Sequence, residues 1–219
     1  MKLTEYESYK LLKKYDIDTP KHFLAKDVLS ACRFAKKIKY PVVMKVMSPD
    51  ILHKTDANCV SANIRDMHTL ETEYAKILSN ANDYWLSQGN ENKPIIDGIL
   101  VEETVGGIEV IVGGKTDSQF GKVIMFGLGG VFVEVLEDVS FRLVPLAKKD
   151  VEYMISEIKS KKILDNFRNI KTNKQKLIKL ILNASKMFEA ENITEFDLNP
   201  VFVNEKRAIA CDARMIAEN

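Results

Sequence analysis

Lys45 and His53 are the residues from which chemistry is most readily read in this chain. Lys45 stands in the apolar run Pro41-Val42-Val43-Met44-Lys45-Val46. A lysine held on a strand is a good point charge for a phosphate. Burying an ammonium without a partner is costly, so the plainer alternative is an edge position from which it reaches water. The run breaks into Ser48-Pro49-Asp50-Ile51-Leu52-His53-Lys54-Thr55-Asp56, a loop that sets one histidine among hydroxyls and carboxylates. Neutral imidazole is a nucleophile at ordinary pH, so His53 could accept a phosphoryl group, although a loop histidine can also be merely solvated.

Further along, Ile99-Leu100-Val101-Glu102-Glu103 is an apolar strand ending in two acids. Backbone groups at such a strand end could pair with an adenine edge. Glu109, past the Gly106-Gly107 turn, could bond ribose hydroxyls; a solvated hairpin is the alternative. In Phe126-Gly127-Leu128-Gly129-Gly130-Val131 the glycines allow backbone N–H groups close to a phosphate, or simply build a turn. Arg142 could clamp phosphate oxygens or decorate a strand. Gly114-Lys115-Thr116 is not a P-loop, because that motif needs glycine five positions before Gly114, where Glu109 stands. Asp197-Leu198-Asn199-Pro200 and the later Asp212 read as two strands of one hairpin, with Asn199 and Asp212 close together. A few converging oxygens, completed by phosphate and water, suit Mg²⁺. An Asn-Pro turn beside an unrelated aspartate is the competing reading.

Composition narrows the class. The 219 residues are 46 % apolar and 29 % charged with a formal net charge of +1, as in an ordinary globular protein with no basic field to draw nucleic acid or membrane. No apolar run approaches the roughly 20 residues of a membrane span, and the N-terminus lacks the apolar core of a signal peptide. Cys32, Cys59 and Cys211 are odd in number and widely spaced, which points to a reducing, cytoplasmic setting.

The elements that must carry these residues can be read in outline. Thr4-x-x-Glu7 is a capping box opening a helix to about Tyr15. Asp27 caps a second helix with Val28, Ala31, Cys32, Ala35 and Ile38 on one face. Val42–Val46 reads as a buried strand, Val60–Ile64 as a half-buried one, and Thr69–Asp83 as a helix, followed by a polar linker over 87–94. Ile99–Glu103, Ile108–Gly113, Val123–Phe126 and Phe132–Val135 read as successive antiparallel strands, with Phe141–Leu146 as a further one. Lys149–Ile158 and Lys174–Ala190 read as helices, and Glu195–Val203 and Arg207–Ala213 as closing strands. The fold class expected is α+β in two lobes.

The set of strand lysine, acidic hinge, second acid and Asn/Asp pair resembles the ATP-grasp superfamily. More specifically it resembles the beta subunit, or ATP-grasp region, of NDP-forming acyl-CoA synthetases, the ADP-forming acetate–CoA ligase group related to succinyl-CoA synthetase. The resemblance runs over nearly the whole chain. It rests on Leu3-Thr4-Glu5-Tyr6-Glu7, on the Tyr40–Lys45 and Ser48–Asp56 strings, on Gln119-Phe120-Gly121, on Val123 through Val135, on Asp138-Val139-Ser140-Phe141-Arg142-Leu143, and on Asp197 through Val203.

That resemblance implies an ATP-grasp fold, with lobes over 1–95 and 96–219 clasping ADP or ATP. It implies Lys45 on phosphate, the hinge Val101, Glu102, Glu103 and Val105 on adenine, and Glu109 on ribose. Gly129, Gly130 and Arg142 would steady the phosphoryl group, Asn199 and Asp212 would hold Mg²⁺, and His53 would be a phosphorylatable histidine. An alpha subunit with the CoA site and the first phosphohistidine is the expected partner, in an α2β2 assembly, with neither nucleic acid nor membrane. The implied reaction is acyl-CoA + ADP + phosphate ⇌ acid + CoA + ATP. One departure stands out: the family's Gly-Gly-Val-Lys is here Asn58-Cys59-Val60-Ser61, so Ser61 replaces a lysine. A carboxylate–amine ligase and a degenerate nucleotide-binding subunit are the rival readings.

Overall fold

Thr4 and Glu7 do close a capping box: the Glu7 carboxylate accepts the Thr4 N–H at 2.8 Å, and the Thr4 hydroxyl accepts the Glu7 N–H at 3.3 Å. From there the chain runs β1 (Lys2–Leu3), α1 (Glu5–Lys14), β2 (His22–Ala25), α2 (Val28–Ile38), β3 (Val42–Met47), β4 (Val60–Ile64), α3 (Met67–Ser87) and β5 (Gly98–Glu103). It continues with β6 (Ile108–Asp117), β7 (Gly121–Leu128), β8 (Val139–Leu143), α4 (Lys148–Glu157), a 3-10 segment (Lys159–Leu164), α5 (Lys174–Ala190), β9 (Ile193–Val203), β10 (Ala208–Ala210) and β11 (Ala213–Ala217). This computed structural model describes residues 1–51, 53–130, 138–165 and 171–218. The strand expected at Phe132–Val135 lies outside the described residues.

The chain packs as two units, one of Pro20–Thr104 and the other of Met1–Thr19 with Val105–Asn219. The smaller unit holds a four-stranded sheet in the order β2-β5-β3-β4, and all its pairings are antiparallel. Strand alternation sends Val42, Met44, Val46, Ile99 and Val101 to one face. There they pack with Ala31, Cys32 and Ala35 of α2 and with Leu70, Tyr74, Ile77 and Ala81 of α3. The helices form because these apolar positions recur at three and four, and because Asp27 and Asp66 accept the N–H groups of Ser30 and Thr69 at 2.7 and 2.8 Å.

The larger unit carries a sheet ordered β1-β11-β9-β6-β7-β8, with β10 also paired to β9. One face is covered by α1, α4 and α5. Leu177, Ile181, Ala184 and Phe188 make the inward stripe of α5, and Phe188 meets Phe196 of β9 edge-on at 5.2 Å.

Several elements differ from the sequence reading. Ile99–Glu103 is not the first strand of the later sheet; it lies between β2 and β3, in the unit that carries Lys45. The packing units therefore change at Thr104/Val105, and the 87–94 stretch lies inside the smaller unit rather than between lobes divided at 95. Met1–Thr19 joins the larger unit, because β1 pairs with β11 at Lys2↔Ile216 and Leu3↔Met215. The α3 helix runs on to Ser87. The last strand is two, β10 and β11, separated at Cys211-Asp212. His22 is half-buried on β2, its Nδ1 2.8 Å from the Pro20 carbonyl.

Candidate functional site

The smaller unit positions Lys45 through strand alternation. Val43 pairs with Glu102 and Lys45 with Leu100, so Lys45 and Glu102 share the face turned away from α2 and α3. The Lys45 Nζ lies 2.9 Å from Glu102 Oε2, and their side chains are only 9 % and 3 % exposed. The lysine is thus neither at an edge nor reaching for water: it is a buried cation answered by a buried carboxylate. Such a pair holds its charge in one place, because losing either partner strands the other in a low-dielectric setting. The register that joins these two residues was invisible in the sequence, where Glu102 read only as part of a hinge.

Of the other hinge residues, Val101 is fully buried in the core. The Glu103 N–H donates to the Lys21 carbonyl at 2.9 Å, and its carboxylate accepts the Lys21 N–H at 3.1 Å. The Thr104 N–H reaches the Pro41 carbonyl at 3.4 Å. Val105 is the first residue of the other unit, so the chain passes between units inside the expected adenine-contacting segment.

The His53 loop is pinned at both ends. The Ser48 hydroxyl accepts the N–H groups of Asp50 and Ile51 at 3.1 and 3.2 Å, and Asp50 accepts the Ile95 N–H at 2.7 Å. The Cys59 N–H donates to the Lys54 carbonyl at 2.7 Å, and the Val46 N–H to the Cys59 carbonyl at 3.0 Å. Between these anchors the His53 side chain is 59 % exposed, with Nδ1 4.0 Å from the Asp56 carboxylate. That is charge-pairing range rather than a hydrogen bond. Ser61 pairs with Met44, whereas Lys45 pairs with Val60. Ser61, expected from the resemblance to replace a lysine, therefore lies on the opposite sheet face from Lys45.

In the larger unit the open face of the sheet gathers most of the remaining candidates. Glu109, Ile111, Gly113 and Lys115 alternate onto that face along β6. The Gly129 N–H donates to the Glu109 carbonyl at 2.8 Å, and a Cβ on Gly129 would sit 2.9 Å from the Glu109 Cβ. Gly130 has φ +69°, a left-handed backbone, and a Cβ there would lie 3.3 Å from the Glu109 carboxylate. The glycines thus let the turn close against Glu109, and the Gly129 N–H is used inside the fold rather than aimed at a ligand.

Asn199 and Asp212 are brought together. Ala213 opposes Leu198 in the β11–β9 ladder, and the Asn199 N–H donates to the Asp212 carbonyl at 3.3 Å. Directly opposed residues share a face. Two oxygen-bearing side chains on one face are the donor chemistry of Mg²⁺, which takes few protein ligands and completes its shell with water or phosphate. Asn199 is exposed at one end of an open cavity of about 670 Å³ on this face. Asp197, two residues before it, lines the same cavity; burial pushes its carboxyl above the usual range, the facing Arg214 opposes that, and Glu195 adds to it. Glu195, Asp197 and Asn199 alternate along β9, and a period of two is the pattern that sets polar groups on one strand face.

Arg142 is not in this group. It stands on β8 opposite Ile124, on the helix-covered face, and its guanidinium donates to Glu157 of α4 at 2.5 Å and to the Phe141 carbonyl at 2.8 Å. Contact with a phosphate would require that pair to open.

With this geometry in place, the ATP-grasp domain model matches residues 1–217. The chain belongs to the ATP-grasp domain family. It is 41 % identical over 219 residues to the subunit beta of acetate–CoA ligase [ADP-forming] II of Pyrococcus furiosus, covering 98 % of this chain and 91 % of that one. It is also 41 % identical over 217 residues to acetate–CoA ligase [ADP-forming] II of Archaeoglobus fulgidus, covering 99 % of this chain but 30 % of that longer protein. Among solved structures, the dinucleotide forming acetyl-coenzyme A synthetase 1 of Ca. Korarchaeum cryptofilum, in complex with coenzyme A, Ca-AMPCP and HgCl+, superposes with a TM-score of 0.90 at 38 % identity, over 99 % of this chain and 93 % of that one. The same protein with coenzyme A and Mg-AMPPCP, its phosphohistidine segment pointing towards the nucleotide binding site, gives a TM-score of 0.83 at 34 % identity over the same shares. The family therefore carries the α+β ATP-grasp fold expected from the sequence.

Proposed function

We propose that this chain is the nucleotide-binding beta subunit of an ADP-forming acyl-CoA synthetase. With an alpha subunit it catalyses acyl-CoA + ADP + phosphate ⇌ carboxylic acid + CoA + ATP. The observation that carries this reading is the 41 % identity running end to end along a separately encoded beta subunit, 98 % of one chain against 91 % of the other. The exposed imidazole of His53 on a loop anchored at both ends supports it.

The roles follow from the chemistry of each group. His53 accepts a phosphoryl group from a phosphohistidine of the alpha subunit: one N–P bond breaks and one to the His53 ring forms. That bond in turn breaks as a terminal oxygen of ADP takes the phosphorus. Asp56 stands 4.0 Å from Nδ1, so Nε2 is the ring nitrogen turned away from the carboxylate and serves as the nucleophile. Lys45, held in place by Glu102, supplies fixed positive charge toward nucleotide phosphate. With Val101 and Glu102 paired in the ladders to β2 and β3, and the Glu103 and Thr104 N–H groups bonded to Lys21 and Pro41, adenine pairing falls to Val105 at the end of the segment. Glu109, exposed beside the Gly129-Gly130 turn, accepts ribose hydroxyls. Asn199 and Asp212 would hold Mg²⁺, whose chemistry is to neutralise and align phosphate oxygens. Alignment and charge do most of the work in phosphoryl transfer, so rigid placement is what this chain contributes.

The loss of the family lysine at Ser61 does not favour the degenerate-subunit reading, because that position and Lys45 lie on opposite faces. The subunit acts in the cytoplasm in an α2β2 assembly; no helix among the described residues is long and apolar enough to cross a membrane. The test is His53→Ala in the reconstituted enzyme. ATP formation is expected to vanish while Mg-ADP binding stays; label from phosphate still reaching ATP at the wild-type rate would remove His53 from the relay.

A further inference from the structure

The open face of the larger sheet carries an apolar patch that the nucleotide roles above do not use. Phe120, Phe141 and Leu143 are 67 %, 54 % and 54 % exposed. They are not loose ends. The Asp117 carboxylate accepts the N–H groups of Gln119 and Phe120 at 2.8 and 2.9 Å, which fixes the β6–β7 turn with Phe120 at its tip. Phe141 and Leu143 lie opposite Met125 and Val123, so all four share one face. This surface continues as the floor of the 670 Å³ cavity that ends at Asn199. Its charged lining is Asp117, Glu195 and Asp197 with Lys115, which lies opposite Glu195, and the exposed Arg214 faces Asp197 from β11, so the rim keeps a small acidic excess. A grouped apolar surface of this kind, held rigid and rimmed by charge, marks a docking site rather than scattered surface hydrophobes.

We infer that this face is where the companion CoA-binding subunit docks, through a segment that offers apolar side chains flanked by at least one lysine or arginine. The inference rests on the beta-subunit reading. The acidic rim fits a basic segment and disfavours an acidic one. The relatives agree in kind: the region matched here is a separate chain in P. furiosus but 30 % of a single longer chain in A. fulgidus, so it works alongside more protein. Because the cavity ends at Asn199, a segment seated on the patch lies next to the proposed metal pair.

The experiment measures association of the full chain with the companion alpha subunit of the same organism by sedimentation and biolayer interferometry, with Mg-ADP titrated in parallel. Wild type, Phe120→Ser with Phe141→Ser, and Glu195→Lys are compared. The aromatic double variant is expected to weaken association at least 30-fold and the charge reversal at least 5-fold, with Mg-ADP affinity kept within twofold in the double variant. Unchanged association in both variants overturns the docking site. Loss of Mg-ADP affinity in step with association overturns it as well, by making the patch part of the nucleotide site. A wild-type chain that self-associates through the patch assigns it to a second copy instead. A wild-type chain that binds no alpha subunit at all defeats the beta-subunit reading itself, which is a separate outcome.

Discussion

The two sheets handle their polar side chains in opposite ways. In the smaller one, Lys45 of β3 and Glu102 of β5 pair at 2.9 Å with 9 % and 3 % of their side chains exposed. In the larger one, Glu109 and Asn199 stand exposed on a sheet face whose cavity also takes in Asp117, Glu195 and Asp197. The difference separates two ways of placing a functional group. A buried pair is rigid, but its function cannot be altered without altering stability, because desolvated charge depends on its partner. An exposed group on a ladder position is placed by the backbone and contributes little to folding, so binding can change while the fold does not.

The comparison breaks most visibly at Lys45. Lys45→Ala is expected to cost about 3–5 kcal/mol by removing the cation 2.9 Å from the buried Glu102 carboxylate, while Lys45→Met with Glu102→Leu recovers most of that loss. Urea unfolding followed by fluorescence of Trp85, the only tryptophan and a residue of the smaller unit, reads both. A single-variant loss under about 1 kcal/mol, the size of an exposed ion pair, would erase the distinction between the sheets.

Next in size is Gly129→Ala. Its Cβ would meet the Glu109 Cβ at 2.9 Å and the Glu109 carbonyl carbon at 3.2 Å, atoms that cannot swing aside. About 1–3 kcal/mol of destabilisation in thermal unfolding is expected from such overpacking. Retained stability would mean that the turn has more room than the geometry gives it.

Asn199→Ala sharpens the contrast from the other side. Its stability should stay within about 0.5 kcal/mol of wild type, as for other exposed positions. Calorimetric Mg-ADP affinity should fall by about 1–2 kcal/mol, the scale of a lost contact to a charged ligand. A large stability loss with normal affinity would reverse the assignment.

The smallest effect concerns Glu191, whose carboxylate bonds Lys14 and Tyr15 at 2.6 Å each. Those bonds hold its pKa below the ordinary 4.5, so its stabilising contribution is complete above that pH and lost as pH falls through the lowered folded value. Glu191→Gln should flatten the acid limb of the stability profile by about 0.2–1 kcal/mol. An unchanged limb would show that the pair is inert.

Local signals were legible in the sequence where the physics is local. The Thr4/Glu7 box, the Asp27 cap, the α5 stripe and the Val42–Met47 strand all depend on residues a few positions apart. The site residues were nameable because strand ends, glycines and the 195–197–199 alternation are short-range patterns. Membership of Ile99–Glu103 in a sheet was not legible, since antiparallel partners come from far along the chain and a buried central strand looks the same in either sheet. β1 and β2 were missed for a related reason: two and four residues are too short to show a period.

What the amino-acid order determined by itself was the set of chemical groups and their local carriers: a strand lysine, a loop histidine, a glycine turn and an Asn/Asp hairpin. What only the tertiary structure decided was which of those groups meet. Strand register set Glu102 beside Lys45, turned Ser61 to the other face, sent Arg142 to Glu157 under α4, and closed the Gly129-Gly130 turn onto Glu109. Register is a choice among long-range pairings made by the buried faces as a whole, and no stretch of neighbouring residues contains it.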